Sequence, residues 1–383
     1  MTLACRTFAL LFGLACWGWF AGGALAQERQ LPLGPQAPVK AVPSPPPGME
    51  MVRTREFGST SFNVSGNVQV MVDNRTTGSI KVTGWDRDVI NVRAVSERGE
   101  EVVILERKTD GPDTLVFMKA DYADLESNDR TARILDLPPV GNDGPIQIHL
   151  EVSLPRKANI AMIRVMRSNV EVENVETPLA VSGGQSSIVL RHIGPVEVHT
   201  RSGNIEIEDA RGLVNVTTSS GEIHLISPKS EVRALSIVGP IEIRCARGHV
   251  DVANTNAPID IYDSVDDVDA VAATSNVRFI GALQEGRRYF LKSMSGRVEM
   301  ILPPKTSGFN ATLSSYNGIV ESDFPLVTRP SQGKAHATNP GDKESTRRIN
   351  GQFGNAKAEI ILDSFAGVVR VTKNSSQTSA TCK

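Results

Sequence analysis

Residues 203 to 225, GNIEIEDARGLVNVTTSSGEIHL, repeat a nine-residue pattern in which Gly203, Gly212 and Gly221 are each followed by apolar residues two and four positions later. Apolar residues that alternate with a period of two predict a short strand with one buried face. The small residue marks a turn, where glycine adopts a positive φ at no steric cost. Because nine residues cannot bury their own apolar side chains, the units must stack on one another, which predicts a β-solenoid.

Alternate units of this repeat carry different apolar residues. In one series the first apolar position is valine, at Val196, Val214, Val232, Val250 and Val268. In the other series it is isoleucine and then valine, at Ile188, Ile205, Ile223, Ile241, Ile259 and Val277. A three-strand coil would mix the two series in every column, whereas a two-strand coil of about 18 residues keeps them apart. We therefore predict two parallel strands per coil, with a smaller-residue sheet facing a larger-residue sheet.

The N-terminus has the pattern of an export signal. Arg6 precedes a short apolar run, and Ala24-Leu25-Ala26 supplies the small residues that a signal peptidase selects. We expect residues 1–26 to be removed, and the mature chain to be exported to the periplasm, the cell surface or the extracellular space. An uncleaved membrane anchor is the alternative, but the apolar run is shorter than the roughly 20 residues that cross a bilayer. We expect no membrane span in the mature chain.

Composition and pattern divide the rest of the chain into six parts. Residues 27–50 are proline-rich and predict a disordered linker. The further predicted parts are an N-terminal β region (51–166), the solenoid repeats (167–326), a polar loop (327–354), two strands that close the C-terminal end (355–372) and a disordered tail (373–383).

Only Cys245 and Cys382 remain once the signal peptide is removed. Two cysteines do not form the disulfide framework of a small secreted domain. They can pair if the tail folds back onto the body of the protein, although we favour unpaired thiols.

Charge and aromatic content exclude some partners. The formal net charge is -2 at pH 7, and removal of Arg6 makes the mature chain one unit more acidic, so nothing attracts nucleic acid. Aromatic residues are 5% of the chain, and Trp85 is the one tryptophan after cleavage. A carbohydrate groove built on stacked aromatic rings is therefore disfavoured.

Several stretches resemble a known family. They are GSIKVTGWDRDVINVRAV, VSLPRKANIAMIRVMRSNVEVENV, the SGNIEIEDARG repeats, and NGIVESDFPL followed by RINGQFGNAKAEIILDSFAGVVRV. In this order, over residues 60 to 372, they resemble the exported bacterial "putative adhesin" family, a domain of unknown function built from β-strand repeats. The resemblance implies an all-β, right-handed parallel β-solenoid at or outside the cell envelope. The family has no catalytic motif to transfer.

The sequence offers few candidates for catalysis. Asp266, Asp267 and His249 are candidate fragments of a polysaccharide-degrading β-helix site, but they occupy ordinary repeat positions without long loops to wall a cleft. The turns EDARG and TTSSG lack the GGxGxD arrangement of calcium-binding β-rolls. GxSxG, P-loop, HExxH and CxxC motifs are absent from the sequence. We expect no enzyme activity, no cofactor and no metal.

An outward column on the larger-residue sheet is the candidate binding surface. It reads Glu206, His224, Glu242, Asp260 and Arg278 at successive coils. Such a ladder can contact a ligand, hold a divalent cation, or serve as a solvated face whose mixed charges moderate repulsion. We select Glu206, His224, Glu242, Asp260 and Tyr262 as candidate binding residues.

Three functions follow from these observations. The favoured one is a non-enzymatic, adhesin-like binding or scaffolding surface for an unknown protein or glycan of the envelope. An envelope-stress or regulatory factor that binds a peptide or membrane protein is the first alternative, and a polysaccharide-active enzyme is the second.

Overall fold

The computed structural model describes residues 49–54, 59–96, 101–110, 113–122, 140–141, 144–145, 147–328, 347–374 and 382. The predicted signal peptide, most of the predicted linker and most of the predicted tail lie outside these residues. The helices and strands given for the described part of the chain are all β-strands, so this part is all-β. That part contains no helix of the length and apolarity needed to cross a membrane.

Ten strands precede the regular repeats. They are β1 (Met49–Thr54), β2 (Ser59–Asn63), β3 (Val68–Trp85), β4 (Val89–Ser96), β5 (Glu101–Asp110), β6 (Asp113–Tyr122), β7 (Val140–Gly141), β8 (Gly144–Pro145), β9 (Gln147–Pro155) and β10 (Asn159–Glu173).

Fourteen strands form the regular repeats. They are β11 (Leu179–Gln185), β12 (Ile188–Arg191), β13 (Val196–Ser202), β14 (Ile205–Glu208), β15 (Val214–Ser220), β16 (Ile223–Ile226), β17 (Val232–Val238), β18 (Ile241–Arg244), β19 (Val250–Asn254), β20 (Ile259–Tyr262), β21 (Val268–Ala272), β22 (Val277–Ile280), β23 (Arg288–Ser293) and β24 (Val298–Leu302). Six more follow: β25 (Gly308–Ser315), β26 (Val320–Ser322), β27 (Val327–Thr328), β28 (Arg347–Gly354), β29 (Ala358–Ser364) and β30 (Val369–Lys373).

From β11 to β22, each strand pairs in parallel with the strand two places further along the chain. Val214 lies beside Val232, and Ile223 lies beside Ile241. The odd-numbered strands β11 to β23 form one wall, called here the Val wall, and the even-numbered strands β12 to β24 form the other, called the Ile wall. The predicted parallel β-solenoid with two-strand coils of about 18 residues is confirmed.

The core lies between the two walls. The inward residues of both series, among them Val214 and Ile223, are fully buried. At the last regular coils the residues change: Phe279 and Tyr289 replace smaller side chains and pack edge to face with ring centroids 5.0 Å apart. Parallel strands that stack like on like keep the walls at constant separation, so each coil buries its apolar side chains against its neighbours.

The two corners of each coil have different backbone conformations. After the Ile-wall strands, one residue per coil has a left-handed φ, and these residues are Asn174, His192, Asp209, Ser227, Cys245 and Asp263. Asn, Asp and His tolerate this conformation better than other residues with a side chain. After the Val-wall strands the turn uses glycine: Gly221 has φ of 122°, and a Cβ there would lie 2.2 Å from the carbonyl oxygen of Gly203.

The N-terminal β region adds antiparallel strands to the first coil. β3 and β10 each run through both walls and pair in parallel with each other. On the Ile-wall side β9 pairs with β3, β4 with β9 and β2 with β4, the last two antiparallel. On the Val-wall side β6 pairs with β3, β5 with β6 and β1 with β5, the last two antiparallel. At each wall, the parallel pairing with β3 therefore continues into antiparallel strands.

The C-terminal coils do not follow chain order. β29 pairs in parallel with both β23 and β25, and β30 pairs with both β24 and β26. The two strands that were expected to close the C-terminal end therefore lie one coil further in. Beyond them β28 pairs antiparallel with β25, so part of the predicted polar loop 327–354 is a strand. The inward Ile360 fits between Tyr289 and Ala311, because all coils share one inward pattern.

Cys245 and Cys382 form a disulfide, with Cα atoms 5.5 Å apart and a separation of 137 positions in the sequence. The preference for unpaired thiols was wrong. Cys245 lies at the left-handed corner after β18, and Asn374, just after β30, donates its N–H to the carbonyl of Leu302. The bond places Cys382 at the corner after β18, which sequence spacing alone did not show.

Substitutions at Ile223 and Glu222 test the register. Ile223 is fully buried, so Ile223→Lys strands a charge between the walls and should lower the free energy of unfolding by more than about 2 kcal/mol. Glu222→Lys removes only an exposed contact with His224 and should cost under about 1 kcal/mol. Denaturant unfolding of both variants measures the difference, and equal losses would contradict the assigned faces.

Reduction tests the disulfide. Peptide mapping of the mature protein without reductant should recover Cys245 linked to Cys382, and reduction should lower the free energy of unfolding by about 2 to 5 kcal/mol, since the bond closes a long loop. The Cys245→Ser/Cys382→Ser variant should match the reduced protein and show no response to reductant. Two free thiols in the unreduced protein would contradict the pairing.

Candidate functional site

The candidate column lies on the outer face of the Ile wall, as the alternation predicts. Glu206 lies beside His224, His224 beside Glu242, Glu242 beside Asp260, and Asp260 beside Arg278 on consecutive strands. Adjacent strands are about 4.8 Å apart, so these side chains form one ladder across five strands. The ladder is flat, because each strand contributes the same outward position.

Side-chain contacts connect the part of this ladder that lies on β18, β20 and β22. Arg244 donates to the Glu242 carboxylate at 2.5 Å, and its guanidinium lies 5.0 Å from the centroid of the Tyr262 ring. Arg278 donates to Asp260 at 2.8 Å and to the Tyr262 hydroxyl at 3.2 Å. These five residues on β18, β20 and β22 are called here the Ile-wall network.

Neighbouring acidic groups stabilise the charged form of the Arg278 guanidinium. Partial burial opposes its charged form, but the hydrogen bond to Asp260 and the nearby acidic groups outweigh burial and raise the pKa of Arg278. Its side chain is held between two strands and remains 39% exposed. The network therefore presents charged atoms in fixed positions that a ligand can still reach.

The part of the ladder on β14 and β16 forms separate ion pairs. Arg191 contacts Glu206 at 2.9 Å and Glu208 at 3.4 Å. His224 contacts Glu222 of its own strand at 3.0 Å. The candidate residues Glu206 and His224 thus share the column with the Ile-wall network, but the structure does not join them to it.

The sequence analysis missed Arg244 and Arg191 as part of this surface. Arg244 lies two residues after Glu242 of the candidate column, and Arg191 lies two residues after Val189, which is beside Glu206; each is on the same face of its strand as that outward residue. Arg244 also lies 18 residues before Tyr262, directly beside it on the next strand. The combination of these two spacings is the signal that would have found it.

The residues that were weighed for catalysis each have a local partner. Asp266 pairs with Arg287 at 2.7 Å, and Asp267 accepts the backbone N–H of Arg288 at 2.8 Å. His249 lies 3.8 Å from Asp269 rather than from either of them. These contacts brace the turn before β23. Within the described ranges, no group of three or more His, Cys, Asp or Glu side chains is placed to hold a metal ion.

A groove of about 430 Å³ lies on the opposite side, on the Val wall. Its lining includes Pro178, Pro195, Leu213, Asn159 and Glu197. It crosses the first residues of four neighbouring Val-wall strands and is separate from the Ile-wall network.

Comparison with known proteins gives remote similarity in structure alone. No family model matches the chain, and no curated protein matches it in sequence. A "putative cell adhesion protein" from Clostridium sporogenes is 10% identical with a TM-score of 0.22, over 83% of this chain and 100% of that one. A "putative lipid binding protein" from Parabacteroides distasonis is 7% identical with a TM-score of 0.34, over 82% and 96%. A "putative adhesin" from Bacteroides fragilis is 9% identical with a TM-score of 0.19, over 83% and 98%.

Two aspartates of the left-handed corner give a matched test of charge. A hydrogen bond from Lys229, 2.8 Å away, lowers the pKa of Asp209, whereas burial raises the pKa of Asp263. Both have a left-handed φ, which asparagine adopts readily. Asp209→Asn should therefore destabilise the protein at pH 7 by about 0.2 to 1 kcal/mol, while Asp263→Asn should raise its melting temperature.

The pH dependence separates these effects from packing. Asp209 stabilises the fold above the ordinary aspartate pKa of 3.8, and this contribution disappears as the pH falls through its lowered folded-state value. The gain from Asp263→Asn should appear as the pH rises above 3.8 and be absent below it. Thermal melts of both variants between pH 3 and 7 measure this. Shifts of the same sign in both would contradict the assignment.

Proposed function

We propose that this chain is an exported, non-enzymatic protein of the bacterial envelope, whose Ile-wall face is an extended, adhesin-like binding or scaffolding surface. The Ile-wall network is the observation that carries the proposal. It places charged and aromatic groups outward, across three consecutive strands and in fixed positions.

Side chains that are already held in place lose little conformational entropy when they bind, so several weak contacts can add up to a useful affinity. A flexible lysine or arginine loses conformational freedom when it binds, whereas a side chain already held by its neighbours loses less. Arg244 and Arg278 are held in this way and remain partly exposed. A repeating polymer or an extended protein surface can contact several strands of the ladder at once and gain affinity from each.

The disulfide supports export. Disulfides persist in oxidising compartments and are rare in the cytosol. Cys245 and Cys382 are bonded, which agrees with the signal-peptide pattern at residues 1–26.

Charge reversal on the network tests the binding surface. The tagged mature protein should bind isolated envelopes of the bacterium that makes it, and Glu242→Lys/Asp260→Lys should weaken this binding by about tenfold or more, since both arginines lose their partners. The matched control is Glu285→Lys, which breaks one exposed ion pair with Lys357 away from the Ile wall. Binding and thermal melts are measured on all three proteins.

Three outcomes would contradict the proposal. Equal binding by the network variant and the control would remove the Ile-wall network from the function. Capture of a single membrane protein would favour the envelope-stress or regulatory alternative. Release of reducing ends from envelope glycans, abolished in Asp266→Ala or Asp267→Ala, would establish an enzyme.

A further inference from the structure

One corner of the solenoid is nearly free of charge. The turns at the C-terminal ends of β17, β19, β21, β23, β29 and β25 are residues 237–240, 255–258, 273–276, 294–297, 365–368 and 316–319, which read IVGP, TNAP, ATSN, MSGR, FAGV and YNGI. The first of them includes the last two residues of β17. Arg297 is the one charged residue among these 24. At the other corner, each of the turns 209–213, 227–231, 245–249, 263–267 and 281–287 carries at least one charged residue.

These six turns are neighbours in space and form a straight edge. Backbone hydrogen bonds link each to the next: Asn256 to Ile237, Thr274 to Thr255, Ser295 to Ala273, Ala366 to Met294 and Asn317 to Phe365. Five steps of about 4.8 Å make the edge about 24 Å long. The strands β29 and β30, called here the intercalated coil, lie between β23–β24 and β25–β26. Their position determines which residues form the edge, because Phe365 lies between Met294 and Tyr316.

Large hydrophobic side chains are exposed along this edge, called here the apolar edge. Six of the twelve exposed large hydrophobic residues in the described part of the chain lie in the six turns. They are Ile237 (45% exposed), Val238 (53%), Met294 (59%), Tyr316 (38%), Ile319 (44%) and Phe365 (54%). Contiguous exposed apolar surface marks an interaction site more often than scattered single residues do.

Packing within the edge accounts for only part of this surface. The Phe365 and Tyr316 rings stack with centroids 5.0 Å apart and planes 7° apart, yet each residue keeps more than a third of its surface exposed. Residues 329–346, which join β27 to β28 in the chain, contain no large hydrophobic residue in their sequence RPSQGKAHATNPGDKEST. That sequence therefore offers no large apolar side chain to cover the edge.

We infer that the apolar edge docks the protein onto a lipid bilayer surface. The edge is the row of turns that joins the two walls and so projects from the solenoid; two copies meeting edge to edge would touch along a narrow line and bury little of the roughly 1,200 Å² that a stable interface needs. A bilayer interface deforms around a projecting apolar ridge and needs no complementary groove. Tyr316, the Asn side chains and the exposed Arg297 can contact headgroups while Met294 and Phe365 enter the acyl boundary.

The apolar edge adjoins the Ile-wall network, because the turns 237–240, 255–258 and 273–276 lead directly into β18, β20 and β22. The inference is argued from the exposed residues of the edge alone, so it does not rest on the proposed function.

Vesicle flotation tests the inference. The disulfide-bonded mature protein is mixed with vesicles of phosphatidylcholine alone or of phosphatidylcholine with phosphatidylglycerol. It should float with both, and more strongly with the anionic vesicles because of Arg297. Ile237→Ser/Met294→Ser should lower the bound fraction by about fivefold or more, since both side chains are exposed and lie outside the intercalated coil.

Two variants separate this effect from general loss of apolar surface. Val265→Ser removes an equally exposed apolar residue (40%) at the charged corner and should float like the unaltered protein. Arg297→Gln should remove the preference for anionic vesicles and keep binding to neutral ones. Thermal melts confirm that each variant is folded.

The inference is overturned if the unaltered protein stays in solution with both vesicle types. It is also overturned if the Ile237→Ser/Met294→Ser variant floats as well as the Val265→Ser control. A dimer seen by light scattering without vesicles, and lost in the double variant, would instead assign the edge to a second copy of the chain.

Discussion

Everything in this structure depends on side chains 18 residues apart lying over one another in parallel register. Val214 stacks on Val232 and Ile223 on Ile241, so the two walls stay at a constant separation and the buried side chains leave little space between them. A shift of one residue would turn every inward side chain to solvent. The register is therefore fixed by the core, and the outward columns follow from it without having to stabilise the fold themselves.

Because the core fixes the register, each outward position forms a column whose chemistry can differ from that of its neighbours. The Ile wall carries ion pairs across strands, Arg191–Glu206 and Arg278–Asp260, and an ion pair within one strand, Arg244–Glu242. One corner holds residues that tolerate a left-handed backbone and many charges, and the other holds glycine turns and exposed apolar residues. A single repeat thus builds several distinct surfaces, since a substitution in one column leaves the others in place.

The sequence was sufficient for the features that repeat and insufficient for those that occur once. The Val and Ile series predicted the two-strand coil, and the alternation placed Glu242 and Asp260 on an outer face. The order of the last coils was not predictable, because Ile360 suits any coil in which the inward position is apolar. β28 was missed since RRINGQFG lacks the alternation of the repeats, and its antiparallel pairing with β25 is a tertiary contact. The disulfide is likewise a tertiary contact, between two residues 137 positions apart in the sequence.

The position of β29 and β30 between other coils also changes the stability of the C-terminal end of the solenoid. In a simple repeat protein each coil contacts only its neighbours in the chain, so the terminal coil can separate alone. Here β25 and β26 reach the body of the protein through β29 and β30, and the chain just beyond β30 is linked by the disulfide to the corner after β18. The last coils must therefore assemble together. The apolar edge depends on the same assembly, because the stack of Met294, Phe365 and Tyr316 exists only when the intercalated coil is in place.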